Sequence, residues 1–126
     1  MGYSIKIDHQ FNIIRYKHYG TIERSELGEA WNQLINIREF ANGQFDLLSD
    51  YSGCQFNITV GDLKVIEDFL KSITHITRGK KQAIIVDNPK TTAVSIIIGS
   101  KIGQETGFHA EIFSTQDTAI NWLNSG

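Results

Sequence analysis

At 126 residues, with 40% apolar and 21% charged side chains, the chain has the size and composition of one soluble domain able to bury a sizeable core, spanning residues 1–126. A formal net charge of −2 argues against nucleic acid or anionic membrane as the main partner, because neither is drawn to a weakly acidic surface. A single cysteine, Cys54, excludes an intramolecular disulfide, and no apolar run is long enough to span a bilayer, so a cytoplasmic location is expected.

Residues 3–8 alternate apolar and polar, the period of a half-buried strand, and His9-Gln10 is short enough for a hairpin turn. Residues 11–19 are rich in aromatic and β-branched side chains and form the second strand, which Gly20-Thr21 breaks. A helix is expected over 22–41, with Leu27, Ala30, Trp31, Leu34, Ile35 and Ile37 on one side and Asn42-Gly43 as its stop. Residues 45–51 form a short apolar strand, 52–58 a polar turn, and 60–77 an amphipathic helix ended by Arg78-Gly79. Residues 82–87 are apolar on both faces, as a central strand covered from both sides requires. Asn88-Pro89 introduces a helix over 91–104, residues 109–113 form the last strand, and Ser114-Thr115-Gln116-Asp117 caps a short helix ending at Leu123. The order β β α β α β α β α is an α/β fold: a five-stranded mixed sheet, parallel apart from an antiparallel N-terminal hairpin strand, with four helices.

The strand, turn and helix opening between Phe45 and Leu63 place a loop at the carboxyl edge of the sheet, where open α/β proteins present their sites. Thr59 puts a hydroxyl at a helix N-terminus, a setting that stabilises a phosphate. With Asp62 three residues on, it also completes a capping box worth about 1 kcal/mol, and the cap is the favoured reading. Ser52 and Cys54 share the loop, but no histidine near in sequence serves as their base, and the thiol reads as a small buried apolar group. His9, His18, His75 and His109 show no metal-ligand spacing, so no metal and no cofactor is expected. Asp46, Asp50 and Asp87 fall on or beside neighbouring strands. Asp50 and Asp87 are the pair able to hold a divalent cation or do acid–base work, against the plainer reading that they cap loops.

The helix over 91–104 has an apolar arc wider than a one-sided surface helix needs. Val94, Ile98 and Ile102 form one line and Ala93 and Ile97 the adjacent one. If the second line packs on the sheet, the first faces a ligand, a protein partner or another copy of the chain. On that reading Ile98→Asp abolishes association and leaves the fold intact.

Asp50-Tyr51-Ser52-Gly53-Cys54-Gln55-Phe56, after an apolar strand and before Gly61 and a helix, resembles the corresponding segment of anti-sigma-factor antagonists. Ala83-Ile84-Ile85-Val86, Glu111-Ile112-Phe113 and Ala119-Ile120-Asn121-Trp122-Leu123 are similar to the SpoIIAA-like branch of the STAS superfamily, and the element order fits over essentially the whole chain. The resemblance implies a βα superhelix with strands in nearly sequential order. It also implies a non-catalytic module that engages a protein partner, or a small apolar ligand, since this fold is shared with lipid-transfer modules. In the antagonists a serine in an Asp-Ser-Ser-Gly run is phosphorylated; this chain reads Ile58-Thr59-Val60-Gly61 there, with one hydroxyl kept as Thr59 and Val60 at the position nearest the usual phosphoacceptor. The leading expectation is a binding module using Asp50, Ser52, Cys54, Thr59, Val94, Ile98 and Ile102, with homodimerisation open. A phospho-switch at Thr59 or Ser52, and a small metal-dependent enzyme using Asp50 and Asp87, are the alternatives.

Overall fold

The computed structural model describes residues 2–125, and the side chains of Lys101 and Ile102 lie outside that description. Five strands form the main sheet: β1 (Tyr3–Asp8), β2 (Ile13–His18), β4 (Asp46–Asp50), β6 (Lys81–Ile85) and β7 (His109–Phe113), in the order β1-β2-β4-β6-β7. Only the β1–β2 pair is antiparallel; every later neighbour is parallel. The expected sheet is therefore present, strand for strand.

Two short strands, β3 (Thr21–Glu23) and β5 (Gln55–Asn57), pair in parallel as a second sheet. They occupy the expected break at Thr21 with the first two residues of the expected helix, Ile22 and Glu23, and the expected turn at 55–57. Three residues are too few for a period to show, but Ile22 and Phe56 are buried in the core opposite one another.

Among the described residues there are six helices rather than four, because both long early helices are interrupted. The stretch 22–41 divides into α1 (Arg24–Leu34) and α2 (Arg38–Ala41). At the break, the Asn36 amide donates to the Asn32 carbonyl at 2.7 Å, and Ile37 is extended. The stretch 60–77 divides into α3 (Val60–Ser72) and α4 (Thr74–Thr77) at Ile73, next to Ser72, whose hydroxyl bonds back to the Phe69 carbonyl at 2.6 Å. Such local bonds compete with the helical ladder and end it. The remaining helices are α5 (Pro89–Thr106) and α6 (Gln116–Leu123). Thr115, not Ser114, caps α6, accepting from the Thr118 amide.

Alternation along the strands divides the core in two. Ile14, Tyr16, Leu47, Tyr51, Ile84 and Val86 face α1, α3 and α5 in the larger cluster. Ile13, Leu48, Ala83 and Ile85 face α6, with Ala119 and Leu123, in the smaller one. The helix α5 lies close against β7: a Cβ on Gly103 would stand 3.1 Å from the Phe108 carbonyl oxygen and one on Gly99 3.3 Å from the Ala110 methyl. Among the described residues no helix is long and apolar enough to cross a membrane.

Candidate functional site

The loop after β4 is tied down from several directions. The Asp50 side chain points to the α6 side and is 5% exposed. Its Oδ1 accepts from the Ser52 amide at 2.9 Å and the Ser52 hydroxyl at 2.6 Å, and its Oδ2 lies 3.3 Å from Gln116 Nε2 and 3.5 Å from Lys17 Nζ. Burial works to raise the Asp50 carboxyl, but these donors outweigh it and hold the group below the usual carboxylate range. Asp87 holds the other side of the turn, accepting from the Gly53 amide at 2.8 Å, where Gly53 adopts φ +75. The two aspartates thus brace one turn from opposite sides. Among the described residues no group of three or more metal-ligating side chains is assembled.

Cys54 is fully buried; its thiol donates to the His18 carbonyl at 3.0 Å, and burial pushes its pKa up. A neutral, hydrogen-bonded thiol is a weak nucleophile. The Cys54 carbonyl in turn accepts from Asn88 Nδ2 at 2.7 Å, linking the loop to the start of α5. Thr59 caps α3 in a complete capping box: its Oγ1 accepts from the Asp62 amide at 3.1 Å, and Asp62 Oδ2 accepts from the Thr59 amide at 3.0 Å. Asp62 also pairs with Arg24 Nε at 3.0 Å, which joins α3 to α1.

On α5 the two apolar lines are reversed from their expected roles. Val94 and Ile98 pack against the larger core, whereas Ala93 and Ile97 are exposed, and the side chain of Ile102 lies outside the described residues. Ile96 and Ile97 are each 53% exposed. The sheet-facing positions are small instead: Thr91, Ser95, Gly99 and Gly103 recur every four residues, with Thr91 and Ser95 buried and both glycines in close approach to β7 or its lead-in.

Beneath α1, α3 and α5 lies a cavity of about 250 Å³. Arg24, Gly28 and Asn32 stand at its mouth on α1, all exposed. Leu27 and Trp31 of α1 and Ile66, Phe69 and Leu70 of α3 form apolar walls. The exposed Val65 of α3, Tyr51 at the end of β4, Phe56 of β5, Gln82 and Ile84 of β6, and Ser95 and Ile98 of α5 complete the described lining. Of the sequence-predicted residues whose side chains are described, only Ile98 reaches it. Asp50, Ser52, Cys54 and Thr59 do not line it, and Val94 packs nearby without lining it.

A polar seam runs from this cavity through the core. Gln82 Nε2 donates to Ser49 Oγ at 2.9 Å. Burial pushes the Tyr51 phenol up, tempered by the neighbouring Ser49 and Tyr16 hydroxyls. Tyr16 Oη is 2.8 Å from His18 Nδ1, and His18 Nε2 is 3.7 Å from Glu26 Oε1, a half-buried carboxylate on α1. Burial lowers the His18 pKa despite that carboxylate, so the ring is held neutral in the core.

No family model matches the chain, and no curated protein matches it. Its structure is similar to that of an uncharacterized protein from the DUF3478 family with a SpoIIAA-like fold from Shewanella loihica PV-4. The TM-score is 0.62 at 12% sequence identity, over 97% of this chain and 94% of that one. The likeness is one of architecture: the chain has a SpoIIAA-like fold.

Proposed function

We propose that the chain is a non-catalytic binding module whose cavity takes a small, largely apolar molecule. The observation that carries this reading is the cavity itself: about 250 Å³, walled mainly by Leu27, Trp31, Phe56, Ile66, Phe69 and Leu70, and open between two helices. Ligand sites combine apolar walls with a few polar groups in this way. Since a cavity of about 150 Å³ holds benzene, this one suits a molecule of roughly ten non-hydrogen atoms.

Iodobenzene, which quenches indole emission, tests the reading directly. Trp31 lines the cavity, whereas Trp122 packs on Phe113 in the smaller cluster, away from it. Saturable quenching is expected in Trp122→Phe protein, and its loss when Gly28→Leu is added. Gly28 is exposed at the mouth with nothing within 4 Å of its Cβ direction, so leucine fits there without strain and narrows the entrance. Linear, unsaturable quenching in the parent would sink the proposal.

A protein partner, or a second copy of the chain, is the second reading, supported by the exposed Ile96 and Ile97 with Ala93 on the outer face of α5. The phospho-switch has less support, since the Thr59 and Ser52 hydroxyls already serve local hydrogen bonds and the Asp62 carboxylate beside Thr59 repels an added phosphate. A metal-dependent reaction at Asp50 and Asp87 has less still, because each carboxylate is engaged by loop donors.

A further inference from the structure

The apolar walls of the cavity leave open what sets its specificity. Two of its deeper lining residues are polar and nine-tenths or more buried: Gln82 at 8% exposure and Ser95 at 3%. Gln82 spends one end of its amide on Ser49 Oγ; among the described residues no hydrogen bond reaches the other end. Whichever way the amide is turned, one polar end remains for something in the cavity. The Ser95 hydroxyl forms no hydrogen bond among the described residues, not even to the carbonyls of its own helix. Neither unpartnered atom is sealed from accessible space, so each stands free to bond to a molecule in the cavity.

The charges around the cavity narrow the choice further. Among the described residues Arg24 is the only charged one in the lining, and it stands at the mouth, exposed and already paired with Asp62. No charged side chain among the described residues lines the inner part, so a carboxylate or ammonium carried to the depth of Gln82 would lose its hydration without gaining a counter-charge. A hydroxyl, carbonyl or amide would lose less and could bond to both groups.

Building on the cavity reading, we infer that Gln82 and Ser95 form a polar floor selecting an apolar molecule with one uncharged hydrogen-bonding head. Carboxylates and amines of the same size are discriminated against. The head lies inward and the apolar body extends toward Trp31 and Phe69.

Toluene, benzyl alcohol and benzoate share one ring and differ in the head, so their displacement of iodobenzene separates body from head. Ser95→Ala and Gln82→Leu are each expected to lower benzyl alcohol affinity about five- to tenfold relative to toluene, the loss expected for one or two hydrogen bonds. Benzoate is expected to be the weakest of the three in the parent protein. Ser95→Ala removes only a hydroxyl and keeps the test sound if Gln82→Leu, which strips Ser49 of its partner, folds poorly. An unchanged benzyl alcohol to toluene ratio in Ser95→Ala and in folded Gln82→Leu, or benzoate binding tighter than benzyl alcohol, would overturn the polar floor while saturable iodobenzene quenching still upholds the cavity. Failure of both toluene and iodobenzene to bind would overturn the two together.

Discussion

Ile98→Asp is expected to lower the free energy of unfolding by roughly 2–4 kcal/mol, the scale for placing an uncompensated polar or charged group in an apolar site. Ile98 packs against the larger core and lines the cavity, so a carboxylate there meets Phe- and Leu-rich walls rather than solvent. Ile97→Asp, one residue away on the exposed side, is expected to change stability by no more than about 0.5 kcal/mol. Urea unfolding followed by far-ultraviolet circular dichroism measures both. The pair separates the two uses of α5: Ile98→Asp acts on fold and cavity, whereas only Ile97→Asp tests association without disturbing the core. If Ile98→Asp unfolds at the parent midpoint, the inward assignment of that residue is wrong and the cavity loses a wall. If Ile97→Asp shifts a dimer to monomer by sedimentation, the outer face of α5 carries self-association.

The reversal on α5 shows where sequence reading reaches its limit. Six apolar side chains around the helix, from Ala93 to Ile102, present two competing faces in the sequence. Packing followed the small residues instead. Gly99 and Gly103 allow the helix to approach β7 and its lead-in, with Thr91 and Ser95 buried in the same row, and this close contact outranks the burial of Ile96 and Ile97. The sheet was legible because residues 3–8 alternate and residues 83–86 are continuously apolar, each a direct mark of its degree of cover. The capping box at Thr59 and Asp62 was legible for the same reason: its partners are three residues apart.

The cavity was not legible, because its walls come from α1, α3, α5 and the β4–β6 region, and no local pattern records which gaps remain when they pack. Trp31, Leu27 and Leu70 looked like ordinary core, and Trp31 and Leu27 are indeed buried while also lining the space. Gln82 left a faint signal, a polar side chain at the start of an otherwise apolar central strand. Ser95 left another, a hydroxyl inside the apolar arc of α5. Each alone is unremarkable; only the tertiary packing of α5 beside the sheet brings them to one cavity.

Asp50→Ala is expected to destabilise the protein by about 2–4 kcal/mol at neutral pH, since it removes a buried acceptor serving the Ser52 amide, the Ser52 hydroxyl, Gln116 and Lys17 together. The pH dependence identifies the cause. The folded-state carboxyl titrates below its unfolded value, near 3.9, so its contribution is fully present above that value and is lost as pH falls through the folded one. The stability difference between parent and Asp50→Ala should therefore be constant near neutrality and shrink below about pH 4. Asp8 and Asp62 are also held low, but both proteins carry them, so they cancel in the difference. Urea midpoints measured across this range would show a pH-independent gap if the loss were only one of packing. The same variant also locates the site. Asp50 faces α6, on the opposite side of the sheet from the cavity, so folded Asp50→Ala should still show saturable quenching of Trp31 by iodobenzene. Retained quenching assigns the Asp50 loop to holding the end of β4 and leaves the ligand to the helices, while loss of quenching in folded protein would return the loop to the binding site.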